Sequence, residues 1–282
     1  MKNTDLHLHS YYSDGELSPA EVVRAAKKKG VKNLALTDHN SIGGNKEAIE
    51  EGEKIGVKVI PGIEIVGEED EVLGYFIDYE NEEFQEELVK ISQKGNEKTK
   101  RRFVELKKKY PEFDWETFET RFAHSKHNHN RGRLFYFVQE ELKISLMEAI
   151  KIVNEAKIDK HAFADISVIE AIKLIKKYGG IPVLAHPWAE KRMKDLLENE
   201  IKFKELVDAG LKGIELDNGD RDERRSEKII NKIKELAEKY NLVLTAGSDF
   251  HGPGLKEVTR EHDVGDYNCE DKIVEELKQC KS

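Results

Sequence analysis

Two hydrophobic rhythms alternate along this chain. Stretches with apolar positions three and four residues apart read as amphipathic helices. Short runs dense in Val, Ile and Leu read as strands. Helical residues 19–29 stop at Gly30 before the run Val31–Thr37, and residues 45–55 stop at Gly56 before Val57–Pro61. Residues 168–178 stop at Gly179 and Gly180 before Ile181–Ala185, residues 200–209 at Gly210 before Gly213–Asp217, and residues 223–240 at Asn241 before Leu242–Ala246. Gly or Asn at such a stop suits a left-handed helix cap. The first helix also has start chemistry: Ser18 as cap, Pro19 at the first position and Glu21 to complete a capping box. Alternating helices and strands predict an α/β fold with a parallel sheet or barrel, whose functional groups gather at the carboxyl ends of the strands.

The rhythm breaks between about residues 80 and 165. This stretch is helical in pattern and rich in Lys and Glu, with Phe113, Trp115, Phe118 and Phe122 as a small core of its own. The expected organisation is therefore a barrel made of residues 1–80 and 166–282, with an inserted helical subdomain at 81–165. Such an insert commonly lids a barrel and shapes its pocket.

Composition narrows the function. Charged residues make up 37% of the 282 and the net charge is −9, which argues against a nonspecific grip on nucleic-acid backbone. A polyanionic substrate stays open, because bound cations would make a site locally positive. The two cysteines, Cys269 and Cys280, lie away from every motif below and suit a reducing compartment. The start of the chain lacks an apolar signal region and no segment reaches the length of a membrane span, so the expectation is a soluble cytoplasmic protein with no membrane partner.

Most of the strand runs end in acidic and histidine motifs. These are His7-Leu8-His9, Ser13-Asp14-Gly15, Thr37-Asp38-His39, Gly62-Ile63-Glu64, Ala185-His186-Pro187 and Ser248-Asp249-Phe250-His251-Gly252. His7 and His9, two apart on a strand, face one side while Leu6 and Leu8 face the other. Asp249 and His251 repeat that spacing, either sharing a face or bracketing a turn. Singly, Asp14 reads as a turn residue, Glu64 as a surface carboxylate and His39 as a helix cap. Together they supply at least seven nitrogen and oxygen ligands and no thiolate, too many for one tetrahedral zinc. The set suits two or three divalent ions, Mn, Fe or Zn, sharing a bridging carboxylate and a bridging water that loses its proton near neutral pH and attacks phosphorus. No Ser-His-Asp arrangement, Gly-rich phosphate loop or dinucleotide fingerprint competes with this reading.

The ordered motif set resembles the PHP (polymerase and histidinol phosphatase) family. Leu73-Gly74-Tyr75-Phe76-Ile77-Asp78 and the helical insert are similar to its branch of nucleotide phosphoesterases. The resemblance implies a distorted (β/α)7 barrel. It also implies that His7, His9, Glu64 and Asp249 hold a first ion, that Glu64 bridges to a second held also by His186, and that Asp14, His39 and His251 hold a third. Asp14, His39, Glu64 and Asp249 become the residues expected at the chemistry. Two departures stand out. Glu71 occupies the position of a histidine that the branch places at the second metal, and can itself bind a hard ion. The string Asn130-Arg131-Gly132-Arg133 replaces an Arg-Pro-His-x-x-Arg-like substrate string, leaving Arg131 and Arg133 as the expected phosphate contacts. His124, His127 and His129 read as a polar exposed loop in which one histidine faces the substrate; His129 is taken as that one. His161 and His262 match no motif.

The expected activity is metal-dependent hydrolysis of phosphomonoesters of nucleotides, either 5′-nucleotides or 3′,5′-bisphosphonucleotides. The partner is then a small phosphorylated substrate, with a short oligonucleotide as the second option. The alternatives are a 5′-end exonuclease on short RNA or DNA, a histidinol phosphatase, and a non-catalytic metal- or nucleotide-binding module.

Overall fold

Parallel strands carry the first part of the chain. The computed structural model describes residues 2–67, 71–123, 128–158, 166–187, 196–217, 226–254 and 263–281; His124, His127, His161 and His262 fall outside them. β1 (Lys2–Leu8), β2 (Asn33–Leu36) and β3 (Lys58–Val66) run parallel, linked by α1 (Pro19–Lys28) and α2 (Asn45–Ile55). Ser18 caps α1 and Glu21 returns the second bond of the capping box. Gly30, Gly56, Gly179, Gly210 and Asn241, the expected helix stops, all adopt positive φ.

β4 (Glu71–Tyr75) departs from the simple repeat: it lies antiparallel to β3, with Val66 opposite Glu71. The cause is connection length, since only antiparallel neighbours can be joined by so short a link. Among the described residues, four helices come next: α3 (Glu82–Lys109), α4 (Trp115–Arg121), α5 (Arg131–Leu142) and α6 (Leu146–Glu155). α7 (Val168–Lys177) leads into β5 (Ile181–Leu184), which is antiparallel to β4 and parallel to β6 (Gly213–Asp217). α8 (Glu200–Ala209) and α9 (Glu227–Tyr240) flank β6, and β7 (Val243–Ala246) extends the parallel set. β8 (Cys269–Glu270), antiparallel to β1, and α10 (Lys272–Gln279) follow.

The strand order is β7-β6-β5-β4-β3-β2-β1-β8. Beyond β7 the chain returns to β1: Leu8 bridges Phe250, the His9 N–H donates to the Phe250 carbonyl at 2.9 Å, and the Asp249 N–H to the His7 carbonyl at 2.9 Å. These bonds nearly close the sheet into the distorted α/β barrel that the sequence suggests.

Alternation along the strands sorts the core. Ile63, Ile65, Val72, Leu184 and Ile214 pack against α7, α8 and α9 and against Phe84 and Leu88 from the start of α3. Leu8, Leu34 and Leu36 pack under α1 and α2. Farther along α3, Phe103 and Leu106 join Phe113, Phe118, Leu134, Phe137 and Val153 in a separate cluster, with Trp115 and Phe122 packed on it. Phe137 meets Phe113 and Phe118 edge-on, at ring separations of 5.4 and 5.5 Å. Its truncation opens a cavity among rings that have nowhere to collapse. Phe137→Ala is expected to cost about 3–5 kcal/mol, read by urea denaturation followed by circular dichroism.

Candidate metal centre

Buried carboxylates build the mouth of the barrel before any ligand is considered. Asp38, just past β2, accepts the Ser10 N–H and hydroxyl at 2.7 Å each and the Ser13 hydroxyl at 2.6 Å. It thereby ties down the loop that carries Asp14. Asp5 accepts the Ser248 N–H and hydroxyl at 2.9 and 2.8 Å and the Gly265 N–H at 2.8 Å, pinning the turn that carries Asp249 and His251. Burial pushes both carboxyls up to about 6 despite these donors. Asp249 sits at φ 53. In that left-handed turn Asp249 and His251 both enter the mouth while Phe250 between them packs with Leu8. Gly247 passes so close to β1 that a Cβ there would stand 2.3 Å from the His7 Cβ.

All nine candidate ligands converge. Glu64, fully buried, uses its two oxygens differently. Its Oε2 lies 3.2 Å from His7 Nε2, 3.3 Å from His9 Nε2 and 3.0 Å from His39 Nδ1. Its Oε1 lies 3.1 Å from His186 Nε2, which is 2.9 Å from Glu71 Oε2. Asp249 Oδ1 approaches the same His7 and His9 nitrogens at 3.3 and 3.1 Å. Asp14 Oδ1 faces His39 Nε2 at 3.6 Å and His251 Nε2 at 3.5 Å. Four overlapping ligand groupings result: His7, His9 and Glu64; His7, His186 and Asp249; Glu64, Glu71 and His186; and His9, Asp14, His39 and His251.

The charges are unbalanced without cations. Burial opposes a charged His7, but Glu64, Asp249 and Glu215 outweigh it and hold its pKa well above the ordinary imidazole value. Burial likewise opposes His186, which Glu64 and Glu71 hold well above. His39 is raised to about 10, the Asp14 and Glu64 carboxylates overcoming burial. His9 goes the other way, pushed down to about 3 by burial and by His251 and His39. Burial alone would raise Glu64 and Asp249; the surrounding histidines, His7 foremost, hold both well below the carboxylate range.

This donor set fits divalent ions. Two ligands roughly 2.1 Å from a shared ion stand roughly 3.0–3.4 Å apart in octahedral or tetrahedral arrays, the spacing of most pairs around Glu64. His9 Nε2, Asp14 Oδ1 and His39 Nδ1 are buried without a well-directed hydrogen bond. Orphaned atoms of this kind, all aimed into one cluster, are what cations would satisfy.

Three supporting carboxylates had no role in the sequence reading. Glu215 is fully buried in β6; its Oε1 lies 3.1 Å from His7 Nδ1 and its Oε2 accepts the His186 N–H at 2.9 Å. It fixes which nitrogen of His7 faces the centre. Asp5 and Asp38 are the others. The available signal was a carboxylate within or directly after an apolar strand run, where nothing polar belongs without a partner.

The expected phosphate contacts lie outside the ligand groupings. The Arg133 guanidinium is buried and donates to the carbonyls of Ser13 at 2.6 Å, Tyr11 at 2.7 Å and Phe122 at 3.4 Å. Arg131 is exposed, with its guanidinium over the Phe135 ring. His129 is buried rather than looped into solvent, against Trp115 and Phe118, because the aromatic cluster extends beneath it. None of the three joins the ligand groupings.

Comparison with known proteins accords with this geometry. The phosphoribosyl 1,2-cyclic phosphate 1,2-diphosphodiesterase of Eggerthella lenta is 28% identical over 88% of this chain and 94% of its own. The 5′-3′ exoribonuclease of Haemophilus influenzae is 27% identical over 94% and 96%. The 3′,5′-nucleoside bisphosphate phosphatase of Chromobacterium violaceum is 28% identical over 90% and 89%. An inferred metal-dependent phosphoesterase of Bifidobacterium adolescentis, 23% identical over 99% and 96% of the two chains, has the same fold at a TM-score of 0.83. A PHP domain is matched from residue 5 to residue 250, a span holding every candidate ligand but His251; the chain belongs to the PHP family of metal-dependent phosphoesterases.

Proposed function

We propose that this enzyme hydrolyses phosphomonoesters of nucleotides, with His7, His9, Glu64 and Asp249 holding one ion, Glu64, Glu71 and His186 a second, and His9, Asp14, His39 and His251 a third. The observation that carries this reading is Glu64. One carboxylate oxygen addresses His7 and His9 and the other His186, so neighbouring ions would share it and meet one phosphate. Divalent ions in such a centre supply Lewis acidity toward phosphoryl oxygens and lower the pKa of water.

The protein's own groups do the rest. Asp14, Glu64, Glu71, Asp249 and Glu215 crowd carboxylates at the mouth, which would repel a phosphate until cations neutralise them. Asp249, its side chain 28% exposed like that of Glu71 and held ionised by the histidines around it, would accept a hydrogen bond from the attacking water. Glu215 keeps His7 turned into the centre. The preference for nucleotides rests on the bisphosphate phosphatase and exoribonuclease among the relatives. The latter also supports a second reading, trimming of short RNA from its 5′ end.

Metal-loaded protein, supplied with Mn²⁺ or Fe²⁺, is expected to release phosphate from a 5′-nucleotide or a 3′,5′-bisphosphonucleotide in a panel that includes histidinol phosphate and short RNA. His9→Ala should lose that release. Turnover of RNA ends with none of mononucleotides would favour the second reading; no release from any substrate would sink both.

Metal uptake should also be pH-dependent in a fixed direction. His7, His39 and His186 hold protons in the metal-free protein, His39 up to about pH 10, and ligation must displace them. Affinity is expected to rise with pH between about 6 and 9, on the order of tenfold per unit for each proton displaced. Titration in weak buffer should acidify the solution. Uptake without proton release would contradict the assignment of these histidines.

A further inference from the structure

The start of α5 grips the three segments that carry the histidine-rich grouping. Asn128 Nδ2 donates to the His39 carbonyl at 2.5 Å and to the Tyr12 carbonyl at 3.3 Å. Arg133 crosslinks the carbonyls of Tyr11 and Ser13, on the approach to Asp14, to that of Phe122. Gly132 faces Asp14 itself: a Cβ at position 132 would stand 2.6 Å from Asp14 Oδ2 and 2.7 Å from its Cβ. Tyr136, one turn further on, donates to Glu16 Oε1 at 3.5 Å. The other oxygen of Glu16 takes the Gly254 N–H at 3.0 Å, and the Glu16 N–H reaches the His251 carbonyl at 2.7 Å.

The groupings differ in how they are supported. His7, Glu64 and Glu71 stand on strands, and Glu215 in β6 braces His7 and the His186 backbone. His39 is bridged to Glu64 just past β2, whereas Asp14 and His251 stand on loops, which do not by themselves hold ligands to the fraction of an ångström that coordination needs. The guanidinium fork spans three carbonyls at once, a task a lysine cannot reproduce. Through the Ser13 and Tyr11 carbonyls Arg133 holds the Asp14 loop.

We propose that Asn128, Gly132 and Arg133 are positioning residues for the His9, Asp14, His39 and His251 grouping, which takes its ion only while the start of α5 is docked on the Asp14 loop. The proposal rests on the reading of that grouping as a metal site. It turns the arginine string into part of the centre's scaffold, and it gives Gly132 a specific reason to lack a side chain.

The test is metal stoichiometry and affinity, by elemental analysis and calorimetric titration with Mn²⁺. It compares the full-length wild type with Gly132→Ala, Arg133→Lys and Asn128→Ala, and with Glu140→Ala further along α5 as control. Gly132→Ala and Arg133→Lys are expected to weaken one ion by about 10–100-fold and leave the others unchanged; Asn128→Ala should act in the same direction, and the control should change nothing. Metal-free Gly132→Ala should remain folded, with the circular dichroism spectrum of wild type. Selective loss of one ion from a folded variant is a result that a merely structural role would not produce. Should Arg133→Lys fail to fold, the other two variants still decide. Wild-type stoichiometry and affinity in Gly132→Ala and Asn128→Ala would overturn the proposal, as would equal weakening of every ion. A wild type that binds no ion would instead sink the metal reading itself.

Discussion

A single buried carboxylate, Glu64, organises this molecule's mouth. It has no exposed surface, yet three histidine nitrogens crowd one of its oxygens and a fourth meets the other. A buried carboxylate is tolerated only when fully paired, and here the pairing requires β1, the end of β2, β3 and the end of β5 to meet at one level. The near-closure of the sheet through Leu8 and Phe250 brings Asp249 to the same nitrogens. The barrel and the centre therefore impose the same geometry on the chain.

The second constraint is charge. Carboxylates outnumber the cationic side chains at the mouth, and the metal-free protein compensates by keeping His7, His39 and His186 protonated. Cations would take over that duty and leave the histidines neutral. The same exchange would convert a mouth that repels phosphate into one that attracts it, which is how a chain of net charge −9 can serve a polyanionic substrate.

Much of this was legible in the sequence, for physical reasons. Histidines and acids at the ends of apolar runs are conspicuous because strands end at a barrel's mouth, and each of the nine candidate ligands lies there. Helix stops at Gly30, Gly56, Gly179, Gly210 and Asn241 were readable because positive φ selects for those residues. What stayed hidden was direction rather than existence. The antiparallel course of β4 follows from the short link of residues 67–70, where Gly67 and Asp70 stand inside an acidic run that does not announce a strand reversal. Nothing in the spacing of Arg131 and Arg133 says that one is exposed and the other turned back onto the carbonyls of the Asp14 loop. Glu215 looked like one acid among 56 acidic residues until the fold placed it behind His7.

The central claim is that Glu64 joins adjoining ligand groupings through its two oxygens. It is tested most directly by counting ions per chain in manganese-loaded wild type and Glu64→Gln, with circular dichroism to establish that both are folded. A neutral amide offers one weak oxygen ligand where the carboxylate offers two strong ones. The account predicts that the folded variant loses more than one ion per chain. A folded variant that keeps the wild-type count, or loses a single ion, would contradict it.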